Sequence, residues 1–170
     1  FTLPDGTSET ISLTASTIVP TPEGSFAIGA DSAATAANLN TALNTAIGKL
    51  ANTSLVAASA VSAANNFFDS SPPLRVDGPP FDSATSLVNG TSANTVSWYT
   101  GETGTDPARG TAVAGIDTAI TVQYGARADE DAFRVALKNM AVYAAVTTST
   151  SDPNATAQMT ALNSRLVDNL

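Results

Sequence analysis

The stretch Ile116–Val146, IDTAITVQYGARADEDAFRVALKNMAVYAAV, decides the fold class. In its opening residues Ile116, Thr118, Ile120, Val122 and Tyr124 alternate with Asp117, Ala119, Thr121 and Gln123. That two-residue period is the pattern of a strand with one covered face. From Asp129 the period changes. Asp129, Glu130 and Asp131 set three carboxylates where the macrodipole of a helix start favours negative charge. Phe133, Ala136, Leu137, Met140, Ala141 and Ala144 then recur at three- and four-residue steps, the buried stripe of an amphipathic helix. A strand followed directly by such a helix predicts a mixed α+β chain.

Reading toward the C-terminus, a Thr/Ser run at 147–151 ends this helix, and Asp152-Pro153 supplies a cap followed by proline at the first helical position. Met159, Leu162, Leu166 and Leu170 carry a second helical stripe to the last residue, so the last helix reads as truncated at its C-terminus. The two stripes share a period and are joined by a short polar turn, which predicts an antiparallel helix pair covering Leu162 with Phe133, Leu137, Met140 and Ala144.

Reading toward the N-terminus, Val96–Thr100 has strand character, and residues 69–95 contain Pro72, Pro73, Pro79 and Pro80. Each X-Pro step disfavours helix, so that segment reads as a long irregular connection with one short strand at Leu74–Val76. Before it, Ala36, Leu39, Leu43, Ile47 and Leu50 mark a helix capped by Asp31 or Ser32. Asn52-Thr53-Ser54 interrupts, and Leu55, Ala58, Val61, Asn65 and Phe68 mark a second helix, together an αα-hairpin. The opening FTLPDGTSETISLTAS reads as a hairpin turning at Pro4-Asp5-Gly6, and Thr21–Gly24 as a turn into a short strand at Ser25–Ile28. The expected architecture is one α+β domain over residues 1–170, an antiparallel sheet with two helical hairpins. Residues 1–95 are a candidate inserted subdomain.

Composition excludes much chemistry. The 170 residues include no Cys and no His. Disulfides, thiolate nucleophiles, Ser-His-Asp triads and zinc sites built on Cys or His are therefore absent. A formal net charge of −8 with only Lys49 and Lys138 as lysines argues against nucleic acid and anionic membrane surfaces. Alanine supplies 31 residues, so the core is expected to be thin.

Carboxylates remain the abundant reactive groups. Paired acids can hydrolyse glycosides, yet Asp5, Glu23 and Asp106 sit at turns and Asp31, Asp129 and Asp152 at helix starts, where turn formation and capping account for them. The loop Gly101–Asp106, with Glu102, offers oxygen ligands without the spacing of an EF-hand, and Asp77–Asp82 has the same weak claim on calcium. Trp98 beside Tyr99 could stack on a sugar, although tryptophan is more often packed inside. The sequons at Asn52, Asn89 and Asn154 are expected by chance in so Thr- and Ser-rich a chain. No catalytic, cofactor-binding or metal-ligating residue is assigned.

Three stretches carry a resemblance. VSWYTGE at Val96–Glu102, ITVQYGARADEDAFRVALKNMAVYAAV at Ile120–Val146 and DPNATAQMTALNSRLVDNL at Asp152–Leu170 are similar to the distal part of alphaproteobacterial flagellins and hook-associated proteins of the hook–filament junction. FTLPDGTSETISL and IGADSAATAANLNTAL resemble segments inserted in the middle of such proteins, so residues 96–170 read as the junction-like part. The resemblance implies a non-catalytic structural subunit, exported unfolded and assembled outside the cell with other flagellar subunits. It implies no cofactor, nucleic acid or membrane partner, and the fragment itself is expected to be a monomer. The rival reading is a phage-tail or adhesin module that binds a glycan or receptor through Trp98–Asp106. A hydrolase relying on carboxylates alone comes third.

Overall fold

In a computed structural model of the chain, which describes residues 1–146, 148–149 and 151–167, helices and short strands are mixed as expected of the α+β class. The order is β1 (Thr14–Ser16), β2 (Ser25–Ala27), α1 (Ser32–Asn52), α2 (Ser54–Asp69), β3 (Leu74–Val76) and β4 (Leu87–Asn89). A 3₁₀ turn at Ala108–Thr111, β5 (Val113–Asp117), β6 (Ile120–Gln123), α3 (Asp131–Ala145) and α4 (Ala155–Val167) follow. The chain divides into two compact units. One holds Phe1–Ser62 and the described residues from Val146 to Val167; the other holds Ala63–Ala145.

In place of one antiparallel sheet there are three two-stranded ribbons. β1 and β2 run parallel, while β3–β4 and β5–β6 are antiparallel. The residues read as a single strand at 116–124 form the end of one strand and all of the next. Asp117 Oδ1 accepts from the Thr118 amide at 2.7 Å and the Thr118 hydroxyl at 3.3 Å, closing the turn between β5 and β6. Ile116 sits in a register shift between Gly115 and Asp117. Val96–Thr100 forms no strand, and β4 lies inside the segment expected to be irregular.

The start of α1 follows its cap. Asp31 Oδ1 accepts from the Ala34 amide at 2.7 Å and starts α1. Glu130 Oε2 accepts from the Arg127 amide at 3.1 Å just ahead of α3. Asp152 Oδ1 accepts from the Asn154 amide within a turn, and α4 opens at Ala155, two residues later than a cap at Asp152 with Pro153 at the first helical position would place it. Thr53 alone separates α1 from α2, a link shorter than the usual loop of an αα-hairpin.

The core is small. Its buried apolar members are Leu3, Val61, Val142, Leu162, Leu166 and four alanines. Leu162 and Leu166 are buried as the α4 stripe requires, but Phe133, Leu137 and Met140, expected to cover them, are exposed. The reason lies on α3 itself. Arg134, Lys138 and Val142 follow one another at four-residue steps. Lys138 Nζ lies 2.6 Å from Asp69 Oδ2, and Arg134 Nε lies 3.3 Å from Asp69 Oδ1. This anchoring to the end of α2 turns the 134–138–142 face inward and leaves the 133–137–140 face outward. The expected continuation of α4 through Leu170 lies outside the described residues.

Candidate functional site

The acids considered as reactive groups are held in structural tasks. The Asp5 side chain is almost fully enclosed. Its Oδ1 accepts from the Thr7 amide at 3.0 Å and the Thr7 hydroxyl at 2.7 Å, and its Oδ2 accepts from Arg165 Nε at 2.8 Å. The same guanidinium donates to Thr7 Oγ1 and to the Ala161 carbonyl and stands 3.6 Å from Glu9. Burial pushes the Asp5 carboxyl up, and the bonds from Thr7 and Arg165 outweigh it, so its pKa falls below the ordinary value. Glu23 is exposed and bonded to Lys49 Nζ at 2.6 Å; that bond and its charge lower the Glu23 pKa. The Asp5–Arg165 pair spans 160 residues of sequence. Only the turn-forming half of its role was legible.

The loop Gly101–Asp106 spends its carbonyls inside the protein. Arg127 Nη1 donates to the Gly104 carbonyl at 2.8 Å, and the Tyr99 hydroxyl donates to the Glu102 carbonyl at 3.0 Å. A guanidinium at Gly104 places positive charge where a calcium ion would need only oxygen ligands. Asp77 Oδ2 accepts from the Ser86 hydroxyl beside the β3–β4 ribbon. Among the described residues no group of three or more carboxylates is placed to hold a metal ion.

Trp98 is half-buried and packs against Phe68, with ring centroids 5.3 Å apart and its indole N–H donating to the Phe68 carbonyl at 2.9 Å. The Tyr99 ring centroid lies 5.5 Å from that of Trp98. A pocket of about 190 Å³ opens beside them, bordered by Asp69, Ser97, Asp129 and Arg134. The packing role expected of Trp98 is the one it fills.

The largest departure from an ordinary domain surface is apolar. On α3, Phe133 is 53% and Met140 59% exposed, and with Leu137, Ala136, Ala126 and Ala128 they border a shallow depression of about 370 Å³. On α1, Leu39, Leu43 and Ile47 form an exposed stripe at four-residue spacing, and α1 has no buried residue. Ile116, Ile120, Val122 and Tyr124 of the β5–β6 region are exposed as well. Contiguous apolar faces of this kind mark interaction surfaces in folded proteins. Periodicity revealed the stripes; it does not distinguish a face covered by the same chain from one covered by another.

Compared with known protein families, characterised proteins and solved structures, the chain has no significant match. Among the described residues no helix is long and apolar enough to cross a membrane.

Proposed function

We propose that this chain is a non-catalytic structural subunit of the bacterial flagellum, part of a flagellin or a hook–filament junction protein, secreted and assembled outside the cell with other flagellar subunits. The observation that carries the reading is the imbalance between core and surface. Among the described residues, five buried aliphatic side chains other than proline are larger than alanine, while two helices and a β-ribbon present apolar rows to solvent. A chain built this way has its remaining apolar surface to bury against partners. The flagellar assignment itself draws on the resemblance of Val96–Glu102, Ile120–Val146 and Asp152–Leu170. Carboxylates committed to caps, turns and ion pairs fit a protein whose work is mechanical.

Fractionation tests the assignment. The full-length gene product, tagged and produced in its own organism, is expected in the sheared extracellular filament or hook fraction, and its deletion is expected to abolish motility. A normally motile deletion strain, with the product retained inside the cell, would overturn it. The glycan-binding alternative has its best support in the pocket beside Trp98, and would be favoured if Trp98→Ala removed binding to a glycan array while leaving assembly intact.

A further inference from the structure

We infer that the unit holding residues 63–145 carries a binding site for one uncharged sugar residue, in the pocket beside Trp98. The end of α2 builds it. The Phe68 carbonyl lies in the last turn of that helix, and the residue four positions on is Pro72, which has no N–H to give it. The Trp98 indole N–H fills the vacancy at 2.9 Å. That bond brings Ser97–Tyr99 against the helix end, and Phe68, Trp98 and Tyr99 supply the aromatic part of the lining. The Tyr99 hydroxyl is spent on the Glu102 carbonyl.

The rest of the lining is polar and largely unspent. Ser70, Ser71, Ser97 and Thr103 border the pocket, and among the described residues none of their hydroxyls makes a hydrogen bond within the protein. Asp129 turns Oδ1 to Arg127 Nε at 3.3 Å, an oxygen closed to solvent, which leaves Oδ2 to accept from a ligand. Arg134 gives one guanidinium N–H to Asp131 and stands 3.3 Å from Asp69 through Nε, with 34% of its side chain still exposed. The pocket therefore offers a donor, an acceptor and hydroxyls that do both, beside aromatic carbon. A ring with several hydroxyls around its rim and C–H groups on its face answers all of them together.

Charge and size narrow the ligand. Asp69, Asp129 and Asp131 are each within 3.3 Å of a cation, Lys138, Arg127 and Arg134 respectively, so the charges around the pocket cancel. An anionic ligand would meet the carboxylates of Asp69 and Asp129. A cationic one would have to displace Lys138 or Arg127 from them. Uncharged hydroxyls can bond to these groups with every ion pair left in place. The volume is about 190 Å³, below the roughly 300 Å³ at which sites for drug-sized ligands begin, and suits a single hexose ring. A sugar site here is independent of the flagellar assignment: failure of the motility test leaves it standing, and its own failure leaves that assignment standing.

Trp98 is the single tryptophan of the chain, so its emission reports the site directly. The probes are the methyl α-glycosides of glucose, galactose and mannose, titrated into the full chain. At least one is expected to shift the emission saturably, with a dissociation constant of about 1 mM for a ligand of its size. The discriminating variant combines Ser97→Ala with Thr103→Val. Both hydroxyls are at exposed positions and bond to nothing in the free protein, so the circular dichroism should be unchanged. Binding should weaken about twentyfold, roughly fivefold for each hydroxyl. Glucuronate and glucosamine, the charged counterparts, should bind more weakly than the neutral glycoside. No saturable shift from any of the three at about 100 mM, a loss of less than about threefold in the double variant, or tighter binding of a charged counterpart would each overturn the inference.

Discussion

Arg165 and Asp5 tie the last described helix to the first turn of the chain, and the bond is made where both side chains are largely out of solvent. Asp5 was legible as a turn residue because Pro4-Asp5-Gly6 has the chemistry of a tight reversal, and Gly6 does sit at φ +84°. Its partner was not legible, since nothing local to Asp5 points to a residue 160 positions away. Replacing Arg165 by Met leaves the carboxylate enclosed with Thr7 alone and should cost about 3 kcal/mol at pH 7, read from urea unfolding by circular dichroism. The pH dependence has a definite sign. A carboxyl whose folded pKa is lowered adds stability above its unfolded value, near 3.8, and loses it as the pH falls through the folded value. The stability difference between the protein and Asp5→Asn should therefore shrink below about pH 4.

At the scale of elements, local polar bonds were readable and distant partners were not. Asp31, Glu130 and Asp152 act through bonds to residues two or three positions away, which a sequence states directly. The orientation of α3 depends on Asp69, the end of another helix, and so was hidden. The stripe Phe133–Leu137–Met140 has a good amphipathic period, but ion pairing by Arg134 and Lys138 turns it outward. Two consequences can be measured. Val142, 1% exposed, should cost about 2 kcal/mol when cut to Ala, whereas Phe133→Ser should change stability by less than about 1 kcal/mol. Asp69→Asn leaves Lys138 mostly buried without its anion and should cost about 1–2 kcal/mol, allowing for the partial exposure of Asp69. Trp98 fluorescence is the natural probe for both, because its indole is bonded to Phe68, next to Asp69 in sequence.

For the whole molecule, the α+β class followed from two periods in one stretch, while the three separate ribbons did not follow from any. Alternation shows that a strand exists without showing what pairs with it. Among the described residues, alanine-rich helices and few larger buried side chains leave a chain that folds on little core and keeps apolar rows outside. Its net charge of −8 opposes collapse of copies onto one another, so sedimentation of the isolated chain should give a monomer without filaments. We propose that the outward face of α3 serves assembly. The direct test is Phe133→Asp combined with Met140→Asp in the full-length protein, followed by circular dichroism of the purified chain and by fractionation of secreted and assembled material. The expected result is an unchanged helical spectrum, normal secretion and loss of incorporation into the filament or hook. Incorporation at the level of the unaltered protein would contradict it.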